Sequence, residues 1–228
     1  MSTLPVHVLV MAKAPVTGLV KTRLCPPLTL EGAATLARAA LEDTVAAVAA
    51  ADVAKRSVVL DGRVGAWLSA GISVIAQRSG PFADRLEAAM MDAWADVPLP
   101  IVLVGMDTPQ MSAGHIESAA QSLLGTNTDA VLGQAEDGGF WIIGVRRPVA
   151  GLFAGVPMST SETGLAQLAR LAALQLRCAR LPRLRDVDLF ADALAVARDA
   201  PETHFAAALD ACLVNPVTTR ALETVGFA

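Results

Sequence analysis

The sequence predicts an α/β fold, a mainly parallel sheet held between layers of helices. Three observations carry that prediction. Val6 to Met11, polar only at His7, and Ile101 to Val104 are apolar runs, the mark of strands buried on both faces. Segments with helical spacing alternate with the strand-like runs along most of the chain. A hydrophobic content of 54% with only 4% aromatic residues points to a core of Ala, Val and Leu.

The first apolar run breaks at Pro15 and Gly18 into a loop that holds Lys13, Lys21 and Arg23 with Thr17 and Thr22. No Asp or Glu precedes Glu31, although the chain carries a formal net charge of −4. A basic island after the first strand of an α/β protein suits a polyphosphate. Lysines act as point charges on phosphate oxygens, Arg offers a planar fork, and Gly lets backbone N–H groups approach. An ordinary solvated loop is the plainer reading. The segment matches neither G-x-x-x-x-G-K-[ST] nor G-x-G-x-x-G.

Thr29 is placed to cap a helix from Leu30 to about Ala51, with Leu36, Leu41, Val45 and Val48 at helical spacing. Ser57 to Leu60 reads as a strand closed by Asp61-Gly62, followed by a short helix around Trp67 and Leu68. Ile72 to Ala76 is another strand, Gln77 to Pro81 a loop, and Phe82 to Trp94 an amphipathic helix. The strand from Pro100 to Gly105 runs into Met106-Asp-Thr-Pro-Gln110, and Ser112 opens a helix to about Leu124. Ala130–Gln134 and Phe140–Val145 are strands joined by Glu136-Asp-Gly-Gly139, an antiparallel intrusion. Ser161 opens a helix to about Ala173, Leu176 to Leu181 forms a last strand, and a helical region begins near Ala191. The tail after Asn215-Pro216 forms a short helix or frays.

The chain's 228 residues suit one domain, 1–228, with a core over about 6–200 and a helical tail over about 201–228. No apolar run approaches the roughly 20 residues of a membrane helix, and the N-terminus has no basic segment ahead of its apolar run, which argues against a secretory signal. Cys25, Cys178 and Cys212 form neither a metal spacing nor a disulfide framework, which fits a reducing cytoplasm. Cys25 lies beside the basic loop without an evident base to activate it. The acidic balance argues against a surface that coats nucleic acid.

Ligands of open α/β sheets bind beyond the carboxyl ends of strands. Two strands end in candidate sites, the basic loop and Asp107. Asp107 suits a hard divalent ion held by one or two carboxylates and substrate phosphates, or merely starts a turn before the Ser112 helix. Asp137-Gly138-Gly139 is a second carboxylate with permissive backbone, or only a hairpin turn. Asp186 and Asp188 are spaced to share a face if extended, one as a metal ligand and the other as an N-cap, or both only cap a helix.

Met11-Ala-Lys-Ala-Pro-Val-Thr-Gly-Leu-Val-Lys-Thr-Arg-Leu24, Val104-Gly-Met-Asp-Thr-Pro-Gln110 and Gly133-Gln-Ala-Glu-Asp-Gly-Gly-Phe140 together resemble an uncharacterised bacterial family of the GT-A, or nucleotide-diphospho-sugar transferase, superfamily. That family is catalogued as glycosyltransferases, some assigned to arsenosugar biosynthesis. More distantly the chain is similar to molybdenum-cofactor and 2-phospholactate guanylyltransferases. The resemblance spans about Val6 to Phe190 and implies a three-layer α/β/α sandwich with a mixed sheet. It implies that Ala12, Lys13, Gly18, Lys21, Thr22 and Arg23 hold a nucleotide's phosphates, with Gln77, Gly80 and Arg85 lining the base or acceptor pocket. It implies Mg²⁺ or Mn²⁺ on Asp107, with Asp188 as the second ligand. Asp137, Gly138 and Gly139 would line the acceptor side. Leu189-Phe190 stands where the family has Thr-Pro, Pro81-Phe82-Ala83 interrupts its Q-x-x-G-D-L-G-x-R pattern, and Thr17 stands where it often has Pro.

The expected function is metal-dependent nucleotidyl transfer from a nucleoside triphosphate to a small phosphorylated acceptor, with Lys21, Arg23, Asp107 and Asp137 as catalytic residues. Glycosyl transfer from a nucleotide-sugar, with Asp137 or Glu136 as base, is the alternative; a non-catalytic nucleotide-binding regulator is another. No membrane or nucleic-acid partner is expected. The base, the sugar, the acceptor and the oligomeric state are not encoded in any pattern recognised in the chain.

Overall fold

In the computed structural model, which describes residues 3–214, the first strand, β1 (Leu4–Lys13), is the spine of the molecule. Its side chains alternate between two cores, as the pleat of a strand requires. Val6, Val8, Val10 and Ala12 face one layer, and Leu9 and Met11 face the other. The remaining strands are β2 (Val53–Asp61), β3 (Ser73–Ala76), β4 (Ile101–Gly105), β5 (Ala130–Ala135), β6 (Phe140–Val145) and β7 (Cys178–Leu184). They form one sheet in the order β3-β2-β1-β4-β6-β5-β7. β1 lies parallel to β2 and β4, and β5 lies parallel to β7. β6 runs antiparallel to both its neighbours, so the sheet is mixed, as expected.

The helices are α1 (Leu30–Ala50), α2 (Phe82–Asp96), α3 (Ala113–Leu124), α4 (Thr163–Ala173), α5 (Phe190–Asp199) and α6 (His204–Leu213). α1 and α3 cover one face through Leu41, Val45, Val48, Ile116 and Leu123. α2 and α4 cover the other through Leu86, Met90, Ala93 and Leu171. The Thr29 hydroxyl accepts the Gly32 amide at 3.0 Å and starts α1 where the sequence places it.

Several elements differ from expectation, and β2 begins at Val53 rather than Ser57. The segment around Trp67 forms turns rather than a helix; Trp67 is buried there by its own bulk in the core. The last helical region breaks at Ala200-Pro201 into α5 and α6, because Pro cannot continue the α5 hydrogen-bond ladder. Residues 201–214 hold α6, a helix where a helical tail is expected. Phe205 and Leu209 of α6 pack with Leu36, Val187 and Phe190 in a third cluster against α1. The remainder of the expected tail, from Asn215, lies outside the described residues. The last strand begins later and runs further than expected, because β7 pairs with β5 as far as Leu184 opposite Ala135.

Candidate functional site

The parallel strands β1 and β4 both end at the same edge of the sheet, and a cavity of about 700 Å³ opens there, within the range of small-ligand sites. β1 delivers Ala12 and Lys13, and the loop after it brings Lys21 and Arg23. β4 delivers Asp107 and Thr108, the β5–β6 turn Asp137 and Gly139, and the β7–α5 connection Asp186 and Asp188. Gln77 and Arg85 close the wall from the β3–α2 side. Thus the three motifs, far apart in sequence, converge on one space.

Two ion pairs stand inside it. Lys21, in a left-handed conformation with φ of 48°, places its Nζ 2.8 Å from Asp107 and also donates to the Val187 carbonyl. The Arg23 Nη1 lies 2.5 Å from Asp188. The Val187 amide donates to the Asp107 carbonyl at 2.9 Å, tying the β7–α5 connection to the end of β4. Asp186 has no such relief. Its Oδ1 is buried with no hydrogen-bond partner. Burial, then the neighbouring Asp107 and Asp137 carboxylates, raise its pKa to about 7, against the opposing pull of Lys21.

Of the expected residues, Ala12, Lys13, Lys21, Arg23, Gln77, Arg85, Asp107, Asp137, Gly139 and Asp188 stand on the cavity wall. Thr22 instead borders a smaller pocket on the far side of Lys21. Gly18, Gly80 and Gly138 are not among the wall residues. Each has a positive φ, of 78°, 122° and 95° respectively, so each shapes a turn that presents its neighbours. Asp137 turns its Oδ1 to the Gly139 amide at 2.8 Å. Glu136, the other candidate base, is ion-paired to Arg185 at 2.6 Å and is not a wall residue. Burial, aided by Glu31, raises the Cys25 pKa, so its thiol stays protonated at neutral pH.

The sequence reading missed one wall. Met158, Ser159, Thr160, Ser161 and Thr163 line the cavity opposite the basic loop. Their run of hydroxyls was visible, but only as the opening of a helix. The turn is fixed because Gly138 lies against Ser161, and the Gly164 amide donates to the Gly138 carbonyl at 2.7 Å. Phe82 and Phe140 were also missed as wall residues, being read as helix and strand core.

The donor set fits a hard divalent cation. Among the described residues no three His, Cys, Asp or Glu side chains are placed to hold a metal ion unaided. Magnesium needs only one or two carboxylates beside substrate phosphates and water. Four carboxylates share the cavity, one of them with a buried unpartnered oxygen. Asp188 is engaged by Arg23, which leaves Asp186 as the freer companion of Asp107.

A family model described as "Uncharacterized protein conserved in bacteria (DUF2064)" matches residues 34–160, more than half of the chain. No curated protein sequence matches. Among solved structures, one from Desulfovibrio desulfuricans G20 bears the provisional name of nucleotide-diphospho-sugar transferase. It is 24% identical, with a TM-score of 0.79 over 98% of this chain and 96% of that one. A CMP:2-keto-3-deoxy-manno-octonic acid synthetase complexed with CTP is 16% identical, with a TM-score of 0.57 over 86% and 99% of the two chains. A nucleotidyl transferase from Methanothermobacter is 17% identical, with a TM-score of 0.56 over 86% and 98%. At these identities the likeness is one of fold, and the chain shares the fold of the Desulfovibrio protein along almost its whole length.

Proposed function

We propose that this chain, which belongs to the bacterial DUF2064 family, is a nucleotide-dependent transferase that moves a nucleotidyl group from a nucleoside triphosphate to a small phosphorylated acceptor. One observation carries the reading: Lys21 and Arg23 meet Asp107, Asp186 and Asp188 at the carboxyl ends of β1 and β4, in one cavity of ligand size. The proteins of like fold whose names state nucleotidyl transfer or bound CTP support it as company.

In this reading Lys13, Lys21 and Arg23 offset the charge of the triphosphate. Asp107, with Asp186 or Asp188, would hold Mg²⁺ or Mn²⁺. Such an ion supplies further neutralisation of phosphate charge and polarises the phosphoryl oxygens. An acceptor phosphate oxygen attacks the α-phosphorus, a new P–O bond forms, the bond to the bridging oxygen of the β-phosphate breaks, and pyrophosphate leaves. The attacking oxygen is already anionic, so no protein base has to remove a proton. Positioning and charge stabilisation suffice. Asp137, Gly139 and the Ser159–Ser161 wall face the acceptor side.

Glycosyl transfer from a nucleotide-sugar is the second reading, favoured by the name of the Desulfovibrio neighbour. Asp107-Thr-Pro109 lacks the second Asp of a D-x-D pair, which weighs against it. The test incubates the protein with Mg²⁺, each nucleoside triphosphate or nucleotide-sugar, and a panel of sugar and alcohol phosphates. Pyrophosphate release that vanishes in Asp107→Ala supports nucleotidyl transfer. Release of free nucleoside diphosphate moves the assignment to glycosyl transfer. Substantial turnover in Asp107→Ala sinks the role given to that residue. Tight nucleotide binding with no turnover of any donor would leave a binding regulator.

A further inference from the structure

The two ion pairs of the cavity join groups that suit different ligands. Lys21 and Arg23 suit phosphate, and Asp107 and Asp188 suit a divalent cation. In the structure each takes the other. The Lys21 Nζ stands 2.8 Å from the Asp107 Oδ1, and the Arg23 Nη1 stands 2.5 Å from the Asp188 Oδ2. The same four side chains also line a second cavity of about 270 Å³, on the side of Val20 and Ala37. They line both spaces, so the pairs form the partition between them.

The carboxylate half of the partition is fixed. The Val187 amide donates to the Asp107 carbonyl at 2.9 Å, and the Asp188 and Leu189 amides donate to the Asp192 Oδ2 at 3.4 and 2.8 Å. The backbone that carries Asp188 is thereby tied on both sides. The cationic half is held less evenly. The Arg23 side chain is 68% exposed and, among the described residues, is engaged through Nη1 alone. An exposed pair of this kind contributes little, so Arg23 leaves Asp188 at small cost. The Lys21 side chain is only 13% exposed, and its Nζ also donates to the Val187 carbonyl. Lys21 is the stronger of the two closures.

The pairs set the two ligands against the protein singly and in favour of it together. A divalent cation brought to Asp107 meets an ammonium group already on that carboxylate, and like charges so close repel. A phosphate brought to Lys21 meets a lysine already neutralised, with the Asp137 and Asp186 carboxylates on the same wall. When both ligands come, phosphate draws the cationic side chains off the carboxylates, and the carboxylates are left for the metal. A coupling of this kind is reciprocal, equal in size whichever ligand binds first.

Resting on the nucleotide reading above, we infer that Lys21–Asp107 and Arg23–Asp188 are autoinhibitory contacts, which keep divalent cation off the carboxylates and phosphate off the basic side chains until the two arrive together. The contacts give substitutions effects of opposite sign. Removing the basic partner weakens nucleotide binding but strengthens binding of the metal alone. Removing the carboxylate does the reverse.

The experiment uses Mn²⁺ alone, followed by the electron paramagnetic resonance of the free ion. It then uses GTP, CTP, ATP and UTP by isothermal titration calorimetry, in EDTA and with Mn²⁺. The proteins are the wild type, Lys21→Met, Arg23→Met and Asp188→Asn. Lys21→Met should bind Mn²⁺ alone about tenfold more tightly than the wild type, the effect of removing one close like charge. Arg23→Met, at the exposed pair, should gain about threefold. Asp188→Asn should bind the preferred nucleotide in EDTA about threefold more tightly. With metal and nucleotide both present, all three variants should bind nucleotide more weakly than the wild type. A loosened fold would weaken both ligands and could not strengthen one. If the wild type binds a nucleotide with Mn²⁺ but neither basic variant gains affinity for Mn²⁺ alone, the inference is overturned and the nucleotide reading stands. Equal nucleotide affinity of the wild type in EDTA and in Mn²⁺ also overturns it. Failure of the wild type to bind any of the four removes both. Arg23→Met alters an exposed side chain, so it decides even if Lys21→Met does not fold.

Discussion

Replacing Gly138 by Ala perturbs the wall opposite the basic loop without touching a charge. A Cβ at Gly138 would fall 2.0 Å from the Ser161 carbonyl oxygen and 2.6 Å from its carbon. The residue also has a φ of 95°, which a side chain tolerates poorly. Backbone strain of that kind costs about 1–3 kcal/mol, and forcing a methyl into a filled contact costs about 1–3 kcal/mol more. The sum is about 2–6 kcal/mol. Gly80→Ala is the control, since its φ is 122° but no atom lies within 4 Å of the added Cβ. It should lose only the strain, about 1–3 kcal/mol. Urea unfolding at pH 7.5, followed by circular dichroism, gives both values. The clash is with backbone, so Ser161 has to move and the Ser159–Ser161 wall with it. Gly138→Ala should therefore weaken acceptor use more than nucleotide binding. Equal destabilisation by the two substitutions would refute the claim that Gly138 holds that wall by close contact.

The remaining predictions concern buried charge. Asp186→Asn removes a carboxylate whose burial holds its pKa at about 7. Its raised pKa means that stability is lost as pH rises from about 4 through 7, so the substitution should stabilise the protein by up to about 4 kcal/mol at pH 8 and by little at pH 4. If Asp186 serves the cation, the same variant loses turnover; a less stable or fully active variant contradicts its place in the site. His7 works in the opposite sense. It is buried in β1, bonded to the Ser57 hydroxyl at 2.8 Å, and burial with the nearby Lys55 lowers its pKa to about 4. The stability it permits is full above about pH 6.5 and is lost as pH falls toward 4, by about 3 kcal/mol. The two groups oppose each other in the wild type, so urea midpoints of Asp186→Asn between pH 7 and 4 should expose the His7 loss. A flat profile in that variant would overturn the His7 assignment.

The strands and most helices were legible because burial leaves plain marks. Val6 to Met11 is apolar at every position but His7 because β1 is covered on both faces, and β4 reads as an unbroken apolar run. Thr29 and Ser112 mark helix starts by capping chemistry that depends on a few adjacent residues. The antiparallel β5–β6 pair was legible from its Asp-Gly-Gly turn. The turns around Trp67 were not, because a large apolar side chain in a short segment fills core space in any local conformation. The end of β7 was hidden by Arg180 and Arg183, whose polarity suits an exposed edge but looks like loop.

For the site, the basic loop and Asp107 stood out because charge beside an apolar strand is unusual. Their pairing did not, because Lys21 and Asp107 are brought together only by the sheet order that sets β1 beside β4. Asp186 and Asp188 were equivalent by spacing. Only the fold shows that Arg23 takes one and burial isolates the other. The role of Gly138 likewise rests on a contact across the fold, with Ser161.

The central claim is that Lys21 and Arg23 hold the phosphates of a nucleotide in the cavity at the carboxyl ends of β1 and β4. Its most direct test is calorimetric binding of the four nucleoside triphosphates and their nucleotide-sugars with Mg²⁺, to the wild type and to the Lys21→Met, Arg23→Met double variant. Two charge-assisted contacts at about 1.5–3 kcal/mol each predict at least a hundredfold weaker binding in the variant, at about 1.4 kcal/mol per factor of ten. Undiminished binding in the variant, or no binding of any nucleotide to the wild type, would contradict the account.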